Sequence, residues 1–231
     1  MATSFNAVTH VIFDMDGTLL DTESVHKKTY TAIAQEFGKE FPDELRMKVL
    51  GTQEMDGARI MVNALQLDLT PEEFLRKVQV IEEKELPKVK LMSGVSELLT
   101  HLHANGIPMA VATSSTKNSF EMKTTCHQEL FKLFHHIVTG PSDPEVKKGK
   151  PAPDIFRICA SRFEDRPEVC ECLVIEDSPN GVAAAVAAGM QVVMVPDPIL
   201  SRDLTRDATL VLDSLQDFRP ECFSLPPFGG N

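Results

Sequence analysis

The 231-residue chain has no apolar run approaching the ~20 residues a membrane-spanning helix needs, so no span is expected. Its start, Met1-Ala2-Thr3-Ser4-Phe5-Asn6, carries no basic stretch followed by an apolar block, and no secretory leader is expected either. Cations are scarce: 23 Lys and Arg stand against 34 Asp and Glu, leaving a net charge of −11. Without a basic face to release counterions, nucleic acid is not expected as a partner. A small anionic substrate is not, because a metal and one lysine can reverse the field locally. The five cysteines (126, 159, 170, 172 and 222) are odd in number and lack zinc-site spacing. Cys170-x-Cys172 leads into an apolar stretch, where buried free thiols are expected, in a reducing cytoplasmic setting. Internal repeats and low-complexity segments are absent, and no long exposed apolar strand calls for a second copy, so a monomer is expected.

The remaining pattern is that of an α/β protein. Short apolar runs at 8–13, 108–113, 136–139, 172–175 and 191–195 read as strands, and the last four alternate with helical segments. That alternation implies a parallel sheet flanked by helices. Residues 21–87 differ: they are amphipathic and helical, with few strand-like runs. Val25, Ala32, Ile33 and Phe37 suggest one apolar face, and Ile60, Met61, Ala64 and Leu65 another. Thr70-Pro71-Glu72-Glu73 has the hydroxyl, proline and acids of a helix start. The expected organisation is a core of residues 1–20 and 88–231 interrupted by a helical insertion at 21–87. The Phe- and Pro-rich tail from Leu212 is expected to dock on the core, with its last residues loose.

Four stretches carry candidate chemistry. Val11-Ile12-Phe13-Asp14-Met15-Asp16-Gly17-Thr18 ends an apolar strand in two aspartates, at the carboxyl edge where open α/β sheets place their sites. Two acids so close repel unless a cation lies between them, which predicts a divalent metal, although Asp-x-Asp-Gly is also ordinary turn chemistry. Thr113-Ser114-Ser115 offers hydroxyls and backbone N–H groups that suit either phosphate oxygens or a helix cap. Lys150, followed by Pro151 and Pro153, sits in a stiff segment that could aim its ammonium inward; solvation is the plainer fate, and the one expected for Lys147 and Lys148. Glu176-Asp177-Ser178-Pro179-Asn180-Gly181 ends a buried strand in two acids, which asks for a metal or, at Asp177, a cap.

The order Asp-x-Asp-Gly-Thr, Thr/Ser at a strand end, Lys-Pro-x-Pro-Asp, Glu-Asp-Ser-x-x-Gly resembles the haloacid dehalogenase-like hydrolase superfamily over most of the chain. Within it, His-Val-Ile-Phe-Asp-Met-Asp-Gly, Gly-Lys-Pro-Ala-Pro-Asp-Ile-Phe, Gly-Met-Gln-Val-Val-Met-Val-Pro-Asp and Ser-Leu-Gln-Asp-Phe are similar to the eukaryotic pseudouridine-5'-phosphatase group and its plant glycerol-3-phosphatase relatives. The resemblance implies a Rossmann-like core with an inserted helical cap, and a phosphatase acting on a small phosphomonoester. It implies Asp14 as nucleophile, Asp16 as general acid and base, and Lys150 as the group stabilising nucleophile and developing charge. Mg²⁺ would be held by Asp14, the Asp16 backbone carbonyl and Asp177, with Glu176 orienting a metal-bound water. Thr113, Ser114 and Ser115 would meet the phosphoryl oxygens. In the cap turn the relatives carry a basic pair, where this chain has Gly51-Thr52-Gln53-Glu54; Thr52 and Gln53 are either substrate contacts or helix-start residues. A phosphomutase uses the same chemistry, and a binding protein with a relic site is a further alternative.

Overall fold

The computed structural model describes residues 5–50, 52 and 54–229. Strand β1 (His10–Phe13) precedes four helices, α1 (Thr22–Glu36), α2 (Asp43–Val49), α3 (Glu54–Leu65) and α4 (Pro71–Glu85). Then follow α5 (Val95–Ala104), β2 (Met109–Thr113), α6 (Lys117–Lys123), α7 (Gln128–Phe131), β3 (His136–Thr139), α8 (Asp154–Ser161), β4 (Cys172–Glu176), α9 (Pro179–Ala188), β5 (Gln191–Met194) and β6 (Leu210–Val211). Contacts divide the chain into two compact units, Met1–Leu20 with Leu91–Asn231, and Asp21–Lys90. The second boundary falls three residues beyond the 87/88 junction expected from composition.

The larger unit holds a six-stranded parallel sheet in the order β3-β2-β1-β4-β5-β6. β1, β2 and β4 are buried along their whole length, which is why they read as unbroken apolar runs. Helices α8 and α9 close a core of Ile12, Val138, Phe156, Phe163, Val174 and Val192. Chain connections leave β1 toward β2 and β4 toward β5, in opposite directions along the sheet. The crevice between the carboxyl ends of β1 and β4 is therefore the topological switch point, where such sheets open to a ligand. The tail docks through buried Phe218 and Phe223, with the Phe5 and Phe223 rings stacked at 4.7 Å. Residues 230 and 231, the loose end expected of the tail, lie outside the described residues.

The helical unit packs Ile33, Leu45, Ala58, Met61, Val62, Phe74 and Val78 together. Of the residues expected on its apolar faces, Ile33 and Met61 lie in this cluster and Phe37, Ile60 and Leu65 pack against it, whereas Ala32 and Ala64 are exposed and Ala34 and Val62 are buried instead. α4 begins as expected, with a reciprocal capping box between Thr70 and Glu73. Cysteines 126, 159, 170, 172 and 222 are all free thiols. Cys172 is buried and Cys170 is exposed in the turn before β4, so only one of that pair is the buried thiol expected. Among the described residues no helix is long and apolar enough to cross a membrane.

Candidate active site

Phe13 pairs with Val111 of β2 and Ile175 of β4, so Asp14, Thr113 and Glu176 end neighbouring strands at one rim. Lys150 enters this rim from the loop before α8. Asp154, in the first turn of α8, accepts the backbone N–H groups of Lys147 and Lys148 on Oδ2 (3.2 and 3.0 Å), and so holds that loop. Those two lysines are exposed, as expected, whereas the Lys150 side chain is only 6% exposed. Its Nζ donates to Asp14 Oδ1 (2.6 Å), Glu176 Oε1 (2.7 Å) and the Ala112 carbonyl (3.1 Å), using all three ammonium protons.

Glu176 is buried and its Oε2 accepts from Asp177 N–H, Ser178 N–H and Ser178 Oγ at 2.8–2.9 Å. Remaining acceptor capacity therefore lies on Oε1. Ser178, not Asp177, caps α9, with its hydroxyl accepting from Gly181 N–H at 3.0 Å. The Asp177 carboxylate instead lies with those of Asp14 and Glu176, one oxygen of each within 4.8 Å of the others. Gly17, at φ +80°, permits this: a Cβ there would stand 2.2 Å from Asp177 Oδ2.

Two of these three carboxylates, Asp14 and Glu176, share the Lys150 ammonium. Burial, opposed by Lys150 and reinforced by Glu176 and Asp16, pushes the Asp14 carboxyl up to about 7. For Lys150, burial favours the neutral amine, but Asp14 and Glu176 overcome it and hold the ammonium well above its usual value. The excess negative charge and all-oxygen donor set fit a hard divalent cation between Asp14 and Asp177.

The Asp16 side chain points elsewhere. Its Oδ2 accepts from Ser115 Oγ (2.8 Å) and its Oδ1 from Lys123 Nζ (2.7 Å), while Lys123 also donates to Ser115 Oγ (2.9 Å). Ser115 thus meets Asp16 through its hydroxyl, and its backbone N–H donates to Thr113 Oγ1 (3.0 Å). Ser114 is exposed at the same rim. Capping of α6 falls to Thr116, which leaves Thr113–Ser115 outside that duty. Lys123 carries little signal in the sequence, a lysine three residues after Phe120 on the face of a short helix. In the helical unit Thr52 is exposed and donates its hydroxyl to the Val49 carbonyl (2.8 Å), a turn contact. Gln53 and Gly51 lie outside the described residues.

A family profile described as haloacid dehalogenase-like hydrolase matches residues 11–195, which hold every rim residue named above. The chain belongs to that family. A Drosophila melanogaster protein named "Probable pseudouridine-5'-phosphatase" is 51% identical over 96% of each chain. The Arabidopsis thaliana protein named "(DL)-glycerol-3-phosphatase 2" is 45% identical over 96% of this chain and 93% of its own. Among solved structures, a haloacid dehalogenase family hydrolase from Deinococcus radiodurans, crystallised with phosphate and sodium, superposes with a TM-score of 0.81 at 28% identity, covering 96% of this chain and all of that one. Members so similar along their whole length place this chain among the family's hydrolases of phosphoric monoesters.

Proposed function

We propose that this phosphoric-monoester hydrolase is a Mg²⁺-dependent phosphatase of small metabolites that works through an aspartyl-phosphate on Asp14. The observation that carries the reading is the placement of Asp14 between Lys150 and the acidic cluster at the switch point of the sheet. Asp14 forms the bond to phosphorus while Lys150 holds it in place and balances charge on the phosphoryl oxygens. Asp16 gives a proton to the leaving oxygen and later takes one from the attacking water. Thr113 supports the turn, and the exposed Ser114 beside it offers a hydroxyl to the phosphoryl group. Glu176 fixes Lys150 and the Asp177–Ser178 backbone, and its Oε1 would orient a water beside the cation. Asp14, the Asp16 carbonyl and Asp177 would hold Mg²⁺, whose charge would let an anionic nucleophile meet an anionic ester.

The favoured substrate is pseudouridine 5'-phosphate or a similar nucleotide or sugar phosphate, on the likeness to the Drosophila protein. Glycerol 3-phosphate is the second reading, on the likeness to the Arabidopsis one. Residues 21–90 would act as the cap that chooses between them, with Thr52 and Gln53 as its candidate contacts. Free thiols support a cytoplasmic setting. A monomer is supported by sheet edges made of four-residue β3 and two-residue β6, too short to recruit a second copy.

Phosphate release from pseudouridine 5'-phosphate, glycerol 3-phosphate, nucleotides and sugar phosphates, with and without chelator, tests the reading. Activity should vanish with chelator and fall roughly 10⁴-fold or more in Asp14→Asn, the scale of losing a hydrolase nucleophile. An isomerised sugar phosphate in place of free phosphate would make the chain a phosphomutase.

A further inference from the structure

Lys123 occupies the last turn of α6 with its side chain only 8% exposed, whereas Lys117 at the start of the same helix is 72% exposed. An ammonium that deep is costly unless paired, and its pairing is with Asp16 and Ser115. The three side chains close a ring whose polarity chemistry fixes. Lysine can only donate, so the Ser115 hydroxyl, having accepted from Lys123, must send its own proton to Asp16. Each Asp16 oxygen then accepts from a different group, and turning the carboxylate about its Cβ–Cγ bond breaks one of the two contacts.

We infer that Lys123, acting with Ser115, is a positioning residue that fixes the orientation from which Asp16 serves the leaving oxygen. This rests on the phosphatase reading above. As Asp14 bonds to phosphorus, the bond from phosphorus to the leaving oxygen breaks, and a proton passes from the Asp16 carboxyl to that oxygen. The carboxylate left behind is received by the two donors that already hold it. Neither Lys123 nor Ser115 exchanges a proton with the substrate; their effect passes through the angle at which Asp16 stands. A lysine that only anchored α6 to the sheet would weaken the fold when removed, and would slow all esters alike.

Two phosphate esters of similar shape separate these roles: p-nitrophenyl phosphate, whose phenolate leaves without help, and p-methylphenyl phosphate, whose more basic oxygen needs the proton. The quantity to compare is kcat/KM, which ends at departure of the leaving group and is blind to the later water attack. Lys123→Met should lose roughly tenfold or more on the p-methylphenyl ester beyond any loss on the p-nitrophenyl ester. Ser115→Ala leaves the buried ammonium paired with Asp16, keeps the fold, and should show the same bias at smaller size. It decides the matter should Lys123→Met fail to fold. Equal losses on both esters in Ser115→Ala, or in a folded Lys123→Met, overturn the inference. Wild-type protein that releases phosphate from neither of these esters nor from the metabolites named above overturns the proposed function, and this inference with it.

Discussion

At the scale of the residue, the site is a problem of surplus negative charge in a dry place. Asp14 is 6% exposed and stands among other acids, and its carboxyl is raised to about 7. A carboxyl whose folded value exceeds its unfolded one stabilises the fold while it is protonated. That contribution is complete below the ordinary carboxylate value and is lost as pH rises through about 7. Metal-free protein should therefore lose stability across this window, and Asp14→Asn, which cannot ionise there, should lack that part of the slope. A divalent cation must displace the same proton, so its apparent affinity should weaken about tenfold per pH unit below 7. Melting temperatures against pH, with and without Mg²⁺, check both statements; an unchanged slope in Asp14→Asn would refute the assignment. Asp14, Lys150 and Asp177 were legible because buried strands and a proline-flanked loop leave charged residues little reason to be where they are. Lys123 was not legible. A lysine on a short helix reads as solvated, and only its distance to Asp16, 107 residues away in sequence, says otherwise.

At the scale of the element, local chemistry and distant contacts divide the work. The start of α4 was readable because Thr70, Pro71 and Glu73 satisfy their own backbone within one turn. The large apolar residues of α1 and α3 gave the phase of each face, but its edges were harder, since alanine costs little on either side of a helix and Ala32 and Ala64 gave no directional signal. β6 escaped notice because two half-buried residues make no period; it exists through pairing of Leu210 and Val211 with β5. α9 carries the sharpest consequence for the site. Alanine is a better helix former than glycine by about 1 kcal/mol, so Gly181→Ala should stabilise α9 on propensity alone. A Cβ at Gly181 would, however, stand 1.7 Å from Glu176 Oε1, the oxygen that holds Lys150. Gly181→Ala should displace the Glu176 carboxylate, loosen Lys150 and cut kcat roughly 10²-fold, on the scale of losing an oriented electrostatic contact. Circular dichroism should meanwhile report intact helix. Full activity in Gly181→Ala would show that Glu176 orients nothing.

At the scale of the whole molecule, the sheet and the helical insertion answer different demands. Every group proposed to touch the phosphoryl centre or Asp16 comes from Met1–Leu20 or Leu91–Asn231, so the chemistry has no need of residues 21–90 for its functional groups. The chain leaves and re-enters the core at adjacent points: Leu20 and Leu91 form an antiparallel bridge, and Met92 N–H donates to the Leu19 carbonyl at 2.9 Å. Asp21 N–H likewise donates to the Lys90 carbonyl at 2.9 Å, so the ends of the insertion already lie side by side. A short turn can join Leu20 to Leu91 with little loop-closure cost. The excised protein should fold around the same sheet, bind a divalent cation through Asp14 and Asp177, and still hydrolyse p-nitrophenyl phosphate. What it should lose is discrimination: its kcat/KM values for pseudouridine 5'-phosphate, glycerol 3-phosphate and sugar phosphates should converge to within about tenfold, because differential binding of the leaving group has been removed. An excised core that keeps the full protein's ranking of these substrates would place specificity in the sheet loops and deny the insertion its role as a cap.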